Sequence, residues 1–409
     1  MVTEAEIEKY IQPILDRQVE INRYVVGVIA ERVKEIGTLL PSDLHRLERL
    51  YKSGADVRKI NKEIARLTGL QVKDIKKLIR DLAYVQYYEL EPYYDYRHKP
   101  FIPFAQNIEL QKVVRAVANQ TAMTFLNISK AQGFMLRDPV TRQLKMTPLS
   151  QAYQQVIDKA IQATQQGTVD YNTAMRNTMK ELNNSGIRRV AYESEKGKKF
   201  TQRLDTAVRR NILDGVRAIN QGVQDITGQQ FGADGKEMSV HLNPAPDHEA
   251  LQGHQYTNEQ FEKMQNVEPF EDVDGKKYAP IERAIGTLNC RHFMYSIIIG
   301  FSKQNYNNKQ LAEIIKKNHD GYTTSDGKHM TMYECTQYQR QLETKIRYAK
   351  DGQMMALKCG DRLLAEYYQT RVSKLTKKYN AFSKACGLSP KSTKMRVSGY
   401  RRISLKKGA

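Results

Sequence analysis

Apolar residues recur every three to four positions over most of the chain, a spacing that predicts a protein built largely of helices. Residues 3–37 carry Ile7, Ile11, Ile14, Leu15, Val19, Val25, Val26 and Ile29 near helical intervals, with Pro13 expected to mark an early turn or a kink. Pro41-Ser42-Asp43 is a helix-opening sequence for residues 44–52, which Gly54 ends. Two periodic stretches follow, 56–68 and 72–84, divided by Gly69. The first lines up Val57, Ile60, Ile64 and Leu67, the second Ile75, Leu78, Ile79 and Leu82. Further helices are expected over 108–129, 149–165, 171–183 and 201–227, with Gly133, Gly167 and Gly186 at their stops. Near the end, Thr331-x-x-Glu334 is a capping box opening a helix to about residue 350, where Asp351-Gly352 breaks the chain. Leu364, Tyr368, Val372, Leu375, Tyr379 and Phe382 form a heptad-like seam on the next helix, so the two should pair as an antiparallel hairpin.

The period changes between residues 231 and 330. Residues 238–242 and 293–299 read as short buried strands, rich in β-branched and aromatic residues and stopped by Pro or Gly. Residues 277–281 are a third strand, and the turn pattern extends the last to residues 290–299. Asp234-Gly235, Asp274-Gly275 and Asp326-Gly327 are hairpin-type turns. The fold class that emerges is α+β and predominantly α-helical: a helical bundle, a small antiparallel or mixed sheet around 238–300, and a C-terminal helical hairpin. Its segments are an N-terminal helical domain (1–90), a Pro/Tyr-rich linker (91–105), a helical bundle (106–230), a small α+β hub (231–330), the hairpin (331–386) and a basic tail (387–409).

Composition adds a direction. The 409 residues hold 65 basic and 45 acidic side chains, a net charge of +20, which favours polyanionic partners. Part of it gathers in residues 387–409, which contain Lys391, Lys394, Arg396, Arg401, Arg402, Lys406 and Lys407 and no acidic residue. That segment is too polar to fold alone and is placed to neutralise phosphates without reading sequence. Arg188, Arg189, Lys196, Lys198 and Lys199 form a second basic cluster. Residues 56–84 resemble a helix-turn-helix in spacing, with Lys73, Lys76, Lys77 and Arg80 on the second helix, although most lysine-bearing helical hairpins are simply solvated. Tyrosines cluster over 84–96 with Pro92, Pro100 and Pro103 nearby, which reads as an aromatic boundary packing on its neighbours. Four scattered cysteines make a disulfide framework unlikely and fit a reducing compartment. The N-terminus lacks a signal-peptide core, and no apolar run is long enough to span a bilayer, so no membrane partner is expected.

The candidate chemistry lies at the two ends of 238–300, where His241 and His248 face Cys290 and His292 along the sequence. If the strands pair, the two ends meet. These four residues suit zinc, and Cys290 and His292, two apart on one strand, would share a face. The competing reading has them hydrogen-bond one another and pin the Pro244-Ala-Pro246 loop to the sheet. It is favoured because structural zinc usually comes with paired cysteines, so no cofactor is expected. His248-Glu249 with His254 fails the zinc-protease spacing, and phosphate-binding Gly-rich loops and a serine-hydrolase elbow are missing from the sequence.

A longer pattern runs through this stretch: Ser239-x-His241, Pro246-Asp247-His248, Gln252-Gly253, then Asn289-Cys290-Arg291-His292, an aromatic-apolar run and Gly300. In that order the residues resemble the phage minor capsid protein 2 family, which belongs with the Mu-F-like head-morphogenesis proteins of tailed phages. Leu251 stands where the family usually has Trp. Ile102-Pro-Phe104, Ala118-Asn-Gln-Thr121, Thr147-Pro-Leu149, Ala207-Val-Arg-Arg210, Gln339-Arg340 and Ile346-Arg347 extend the resemblance over nearly the whole chain. The resemblance implies a structural, non-enzymatic head protein of a phage or prophage. It would be carried inside the virion, assembled in the host cytoplasm, and would touch portal and major capsid proteins or packaged double-stranded DNA. The alternatives are a metal-dependent enzyme centred on His241, His248, Cys290 and His292, and a helix-turn-helix DNA-binding protein.

Overall fold

The computed structural model describes residues 4–36, 55–130, 133–138, 141, 143–165, 177, 180, 189–193, 199–282, 284–286, 290, 292–358 and 360–404. The helix expected over 44–52 and most of that over 171–183 lie outside them.

Helix α1 (Glu4–Ile36) runs through Pro13 instead of turning there and buries Ile11, Ile14, Ile21, Val25 and Ile29. Helix α2 (Ala55–Tyr88) is one rod of 34 residues, which overturns the helix-turn-helix reading. Gly69 sits in its interior with open space around it. Glycine there costs about 1 kcal/mol relative to alanine. Ile60, Leu67, Ile75, Leu78, Ile79 and Leu82 are all buried along the rod, at about 1.5–3 kcal/mol each, so burial wins over local propensity. Lys76, Lys77 and Arg80 lie on its exposed side, and Lys77 pairs with Asp81.

After α2 comes the aromatic segment, with the short helix α3 (Glu91–Tyr96) and a 3-10 turn at Phe104–Gln106. Its rings divide: Tyr87, Tyr94 and Phe104 are buried, whereas Tyr84, Tyr88 and Tyr96 are exposed. Tyr87 stacks on Phe101 with centroids 4.7 Å apart, and Tyr93 stacks on Phe231 at 5.2 Å. The Tyr87 hydroxyl donates to the Ile102 carbonyl at 2.6 Å, and that of Tyr94 to Gln230 Oε1 at 2.7 Å. The Tyr/Pro stretch is therefore joined to the end of a helix more than a hundred residues away.

Helix α4 (Ile108–Lys130) packs along α6 (Leu204–Phe231), and Leu110, Val114, Phe125, Ile212 and Ile219 meet α1 and α2 in one aliphatic core. Between α4 and α6 lie α5 (Leu149–Gln165) and a sheet the periodicity did not reveal: β1 (Gly133–Arg137), β2 (Leu144–Pro148), β3 (Arg189–Glu193) and β4 (Lys199–Arg203), all antiparallel in the order β2-β1-β3-β4. Phe134 and Leu136 press from it onto Tyr153, Val156 and Ile157 of α5. Residues 201–203, expected to be helical, belong to β4. Of the second basic cluster, Arg189 and Lys199 lie in this β3–β4 hairpin, whereas Arg188, Lys196 and Lys198 fall outside the described residues.

Beyond α6 the hub's three-stranded antiparallel sheet has β5 (Gly235–Met238) between β6 (Gln255–Thr257) and β9 (Met294–Ile297). Helix α7 (Asn258–Gln265) and the two-residue strands β7 (Phe270–Glu271) and β8 (Lys277–Tyr278) fill the connection. Asp274-Gly275 makes the β7–β8 turn, with Gly275 at φ +80°. Asp234-Gly235 makes none: Gly235 opens β5, and the Asp234 carboxylate accepts the Ile299 amide at 2.7 Å. Helix α8 (Asn308–Asp320) and a small hairpin, β10 (Tyr322–Thr323) and β11 (His329–Met330), lead to the C-terminal helices.

Helices α9 (Met332–Lys358) and α10 (Arg362–Ala385) form the expected antiparallel hairpin, and Thr331 and Glu334 close the capping box. Asp351-Gly352 does not break α9, because Asp351 is held by Arg203 at 3.2 Å while Ala349 and Ala356 are buried against α10. The chain turns at Gly360 instead, at φ +76°.

The basic segment is not a loose appendage over its described part. Through a 3-10 turn (Ser392–Met395) it lies back on the hairpin, burying Met395 and Val397. Arg347 donates to the Lys394 carbonyl at 2.6 Å, Lys350 to that of Met395 at 2.8 Å, and Gln353 to that of Arg401 at 3.0 Å. A segment that cannot fold alone folds here because α9 and α10 supply both apolar surface and donors.

Candidate functional site

Helix α6 positions the hub from below. An added Cβ at Gly228 would lie 2.5 Å from Ser296 Oγ, so only glycine lets β9 approach this closely. Gln224 accepts the Ser296 amide at 2.8 Å, and Gln221 accepts that of Met294 at 3.0 Å. Lys236 reaches back to Asp225 at 2.8 Å. None of these helix residues stood out in the sequence, since a helical Gln or Gly carries no mark of what packs against it.

The β5–β9 pairing places Met238 opposite Met294, and the polar ends meet just beyond it, as expected from the sequence. The first strand is displaced from its predicted place, 235–238 where 238–242 was expected, and the second is shorter, beginning only at Met294. His241, Cys290 and His292 therefore sit in irregular segments beside the sheet. Ser239 continues the pairing off the strand, its hydroxyl accepting the Phe293 amide at 3.1 Å and its own amide donating to the Phe293 carbonyl at 3.0 Å.

Gln252 is the organising side chain. Its Oε1 accepts the backbone N–H of His241 at 2.9 Å and lies 3.4 Å from His292 Nε2. Gly253 follows at φ +76°, a left-handed conformation that favours glycine, with its amide bonded to the Met238 carbonyl at 2.9 Å. Leu251, in the family's Trp position, is buried and accepts the Tyr256 hydroxyl at 2.8 Å. Pro246 and Asp247 line an open cleft with Ala245, Glu282 and Tyr333. The loop's outer side is clamped by α8, where Asn318 and His319 bond the Glu249 carboxylate at 3.0 and 2.7 Å. That clamp spans about seventy positions and leaves no local sequence signal.

At the centre, Cys290 Sγ lies 3.4 Å from His248 Nδ1 and 3.5 Å from His292 Nδ1. All three side chains are buried, and their ligand atoms lie within 4.8 Å of one another. His241 is adjacent, its ring centroid 4.4 Å from that of His292. Burial alone would push the Cys290 thiol up. The His248 imidazole and backbone contacts at Gly286 and His292 outweigh it and hold the thiol below its usual range. His254 stands apart beside Asp272 at 3.4 Å. Asn289 and Arg291 lie outside the described residues.

The described residues of the ordered motif thus gather in one physical unit, and a comparison over the whole chain places it. A protein-family model described as Phage minor capsid protein 2 matches residues 2–384. The chain belongs to the phage minor capsid protein 2 family. The match takes in the helical bundle, the hub and the hairpin up to the last residues of α10, so the docked basic segment lies beyond the matched span of this minor capsid protein. No curated protein and no solved structure matches it. Among the described residues, no helix is long and apolar enough to cross a membrane.

Proposed function

We propose that this minor capsid protein is a structural component of a phage or prophage head. In this reading it is assembled in the host cytoplasm and retained in the capsid interior, where it contacts portal and major capsid proteins and neutralises packaged double-stranded DNA without reading its sequence. The observation that carries the reading is the family match over residues 2–384. The DNA contact rests on the net charge of +20 and on the docked C-terminal segment, which presents Lys391, Arg396, Arg401 and Arg402 at the surface. Arg396 lies 3.6 Å from Asp16, Lys394 is half-buried, and Lys406 and Lys407 lie outside the described residues. Arg401 and Arg402, adjacent and both exposed, are therefore the pair best placed for phosphate, with Lys391 exposed elsewhere on the segment. The Cys290–His248 contact has the spacing of a nucleophile and its base, but both side chains are buried, which favours a structural role over turnover.

Mass spectrometry of purified virions should find the protein, and it should co-sediment with procapsids that contain portal. Its absence from virions despite normal expression in the lysate would contradict the capsid role. For DNA, log K should fall linearly with log salt, and Arg401→Gln with Arg402→Gln should flatten the slope by about 1.8 if each contacts one phosphate. An unchanged slope would move the contact elsewhere.

A further inference from the structure

Three buried ligand atoms from two separate segments converge at the centre of the hub. We propose that Cys290 Sγ, His248 Nδ1 and His292 Nδ1 bind one zinc ion, which clips the loop carrying His248 to the segment entering β9. This goes beyond the capsid reading and does not depend on it.

The first argument is metric. Zinc takes sulfur at about 2.3 Å and imidazole nitrogen at about 2.0–2.1 Å in a tetrahedron, which sets a sulfur–nitrogen edge of about 3.5 Å. The two observed edges are 3.4 and 3.5 Å. The third edge, between the two imidazole nitrogens, lies within 4.8 Å, and the tetrahedron asks for about 3.3 Å, so the ion takes the two observed edges as they stand and any remaining closure falls to the imidazole rings.

The second argument is the surroundings of the imidazoles. Gln252 Oε1 accepts the backbone N–H of His241, so the atom facing His292 is an oxygen. His292 Nε2 must then carry the proton, and the lone pair of the neutral ring lies at Nδ1, toward Cys290. The Asp247 carboxylate lies 3.8 Å from His248 Nε2, a charge neighbour on the side of that ring away from Cys290. A zinc ion takes the imidazole lone pairs and the thiolate, and the thiol proton leaves to solvent. An oxygen at hydrogen-bond distance behind the ring, as Gln252 supplies for His292, is also the usual outer support of a metal-bound histidine. The fourth position falls to His241 or to water.

The test uses the full chain. Purified without chelator, it should contain one zinc per chain by elemental analysis. After chelator treatment, titrated cobalt should give a tetrahedral spectrum with thiolate-to-cobalt charge transfer, saturating at one equivalent. Cys290→Ser should abolish the charge-transfer band, and His248→Ala or His292→Ala should weaken cobalt binding by more than about tenfold. Should Cys290→Ser fail to fold, the triple variant Cys335→Ser, Cys359→Ser, Cys386→Ser leaves Cys290 as the sole thiol. A band in that variant supports the site, and its loss overturns it. Failure of the chelator-treated chain to take up cobalt, or a thiolate band that survives Cys290→Ser, also overturns it.

Discussion

The long helices bury a continuous aliphatic seam, in which Ile11, Ile14, Leu78, Leu82, Phe125 and Ile212 repeat one kind of contact many times over. The hub, from β5 to β9, buries strands of two to four residues around Gln252, His248, Cys290 and His292, and each of these contacts occurs once. An apolar contact is non-directional and tolerates small shifts. A buried polar contact is directional, and losing one partner leaves the other unsatisfied at about 1–3 kcal/mol. The helical body should therefore absorb single changes that the hub does not, and the hub should depend on position more than on bulk.

The largest effect expected separates bulk from charge at the C-terminus. Deleting residues 387–409 removes the buried Met395 and Val397, worth about 1.5–3 kcal/mol each. The melting temperature should fall measurably, although the deleted segment is polar and basic. An unchanged melt would return the segment to the status of a solvated tail.

Next comes a change of one methyl group in the hub. Gly253→Ala places a Cβ 2.5 Å from Leu311 Cδ2, at a φ of +76°. Left-handed backbone costs a non-glycine residue about 1–2 kcal/mol, and overpacking adds about 1–3 kcal/mol. Denaturant unfolding should show a loss of that order. A loss below about 1 kcal/mol would mean that the hub yields as the helices do.

The body has polar contacts of its own, and one of them sharpens the contrast by pH. Asp56 is buried between Arg32, at 2.9 Å, and the Tyr153 hydroxyl, at 2.5 Å. Burial would raise its carboxyl, but the hydrogen bonds from Arg32 and Tyr153 prevail and hold it below the usual 3.8. Its contribution is therefore present above that value and lost as pH falls through the lowered folded value. Melting temperature measured between about pH 2 and 5 should drop more steeply for the parent chain than for Asp56→Asn. Parallel curves would remove Asp56 from the acid response. The smallest effect expected is a gain: Gly69→Ala, in open space within α2, should stabilise by about 0.5–1 kcal/mol, whereas a turn at Gly69 would make it destabilising.

The same contrast explains what could be read from the sequence. The helices and the α9–α10 hairpin were legible because their apolar residues keep one period for many turns. Their interruptions were misread at Gly69 and at Asp351-Gly352, where burial and the Arg203 contact carry the helix through a local breaker. The β1–β4 sheet was missed because five-residue strands flanked by helices give too few repeats to fix a period. In the hub, the convergence of His248 with Cys290 and His292 followed from pairing two strands, and the family motif marked Gln252 and Gly253. The supports from Gln221, Gln224, Gly228, Asn318 and His319 are set by tertiary packing alone.

The most direct measurement is hydrogen exchange, followed by mass spectrometry, on the full chain and on Gln252→Leu. That substitution takes the acceptor from the His241 amide and the oxygen from beside His292 while keeping the side chain's bulk. Peptides covering β5, β6 and β9 should lose protection, and peptides from α4 and α6 upstream of Gln221 should keep theirs. Equal loss in the helices and the hub, or no loss in either, would contradict a hub held by its polar centre and a body held by its apolar seam.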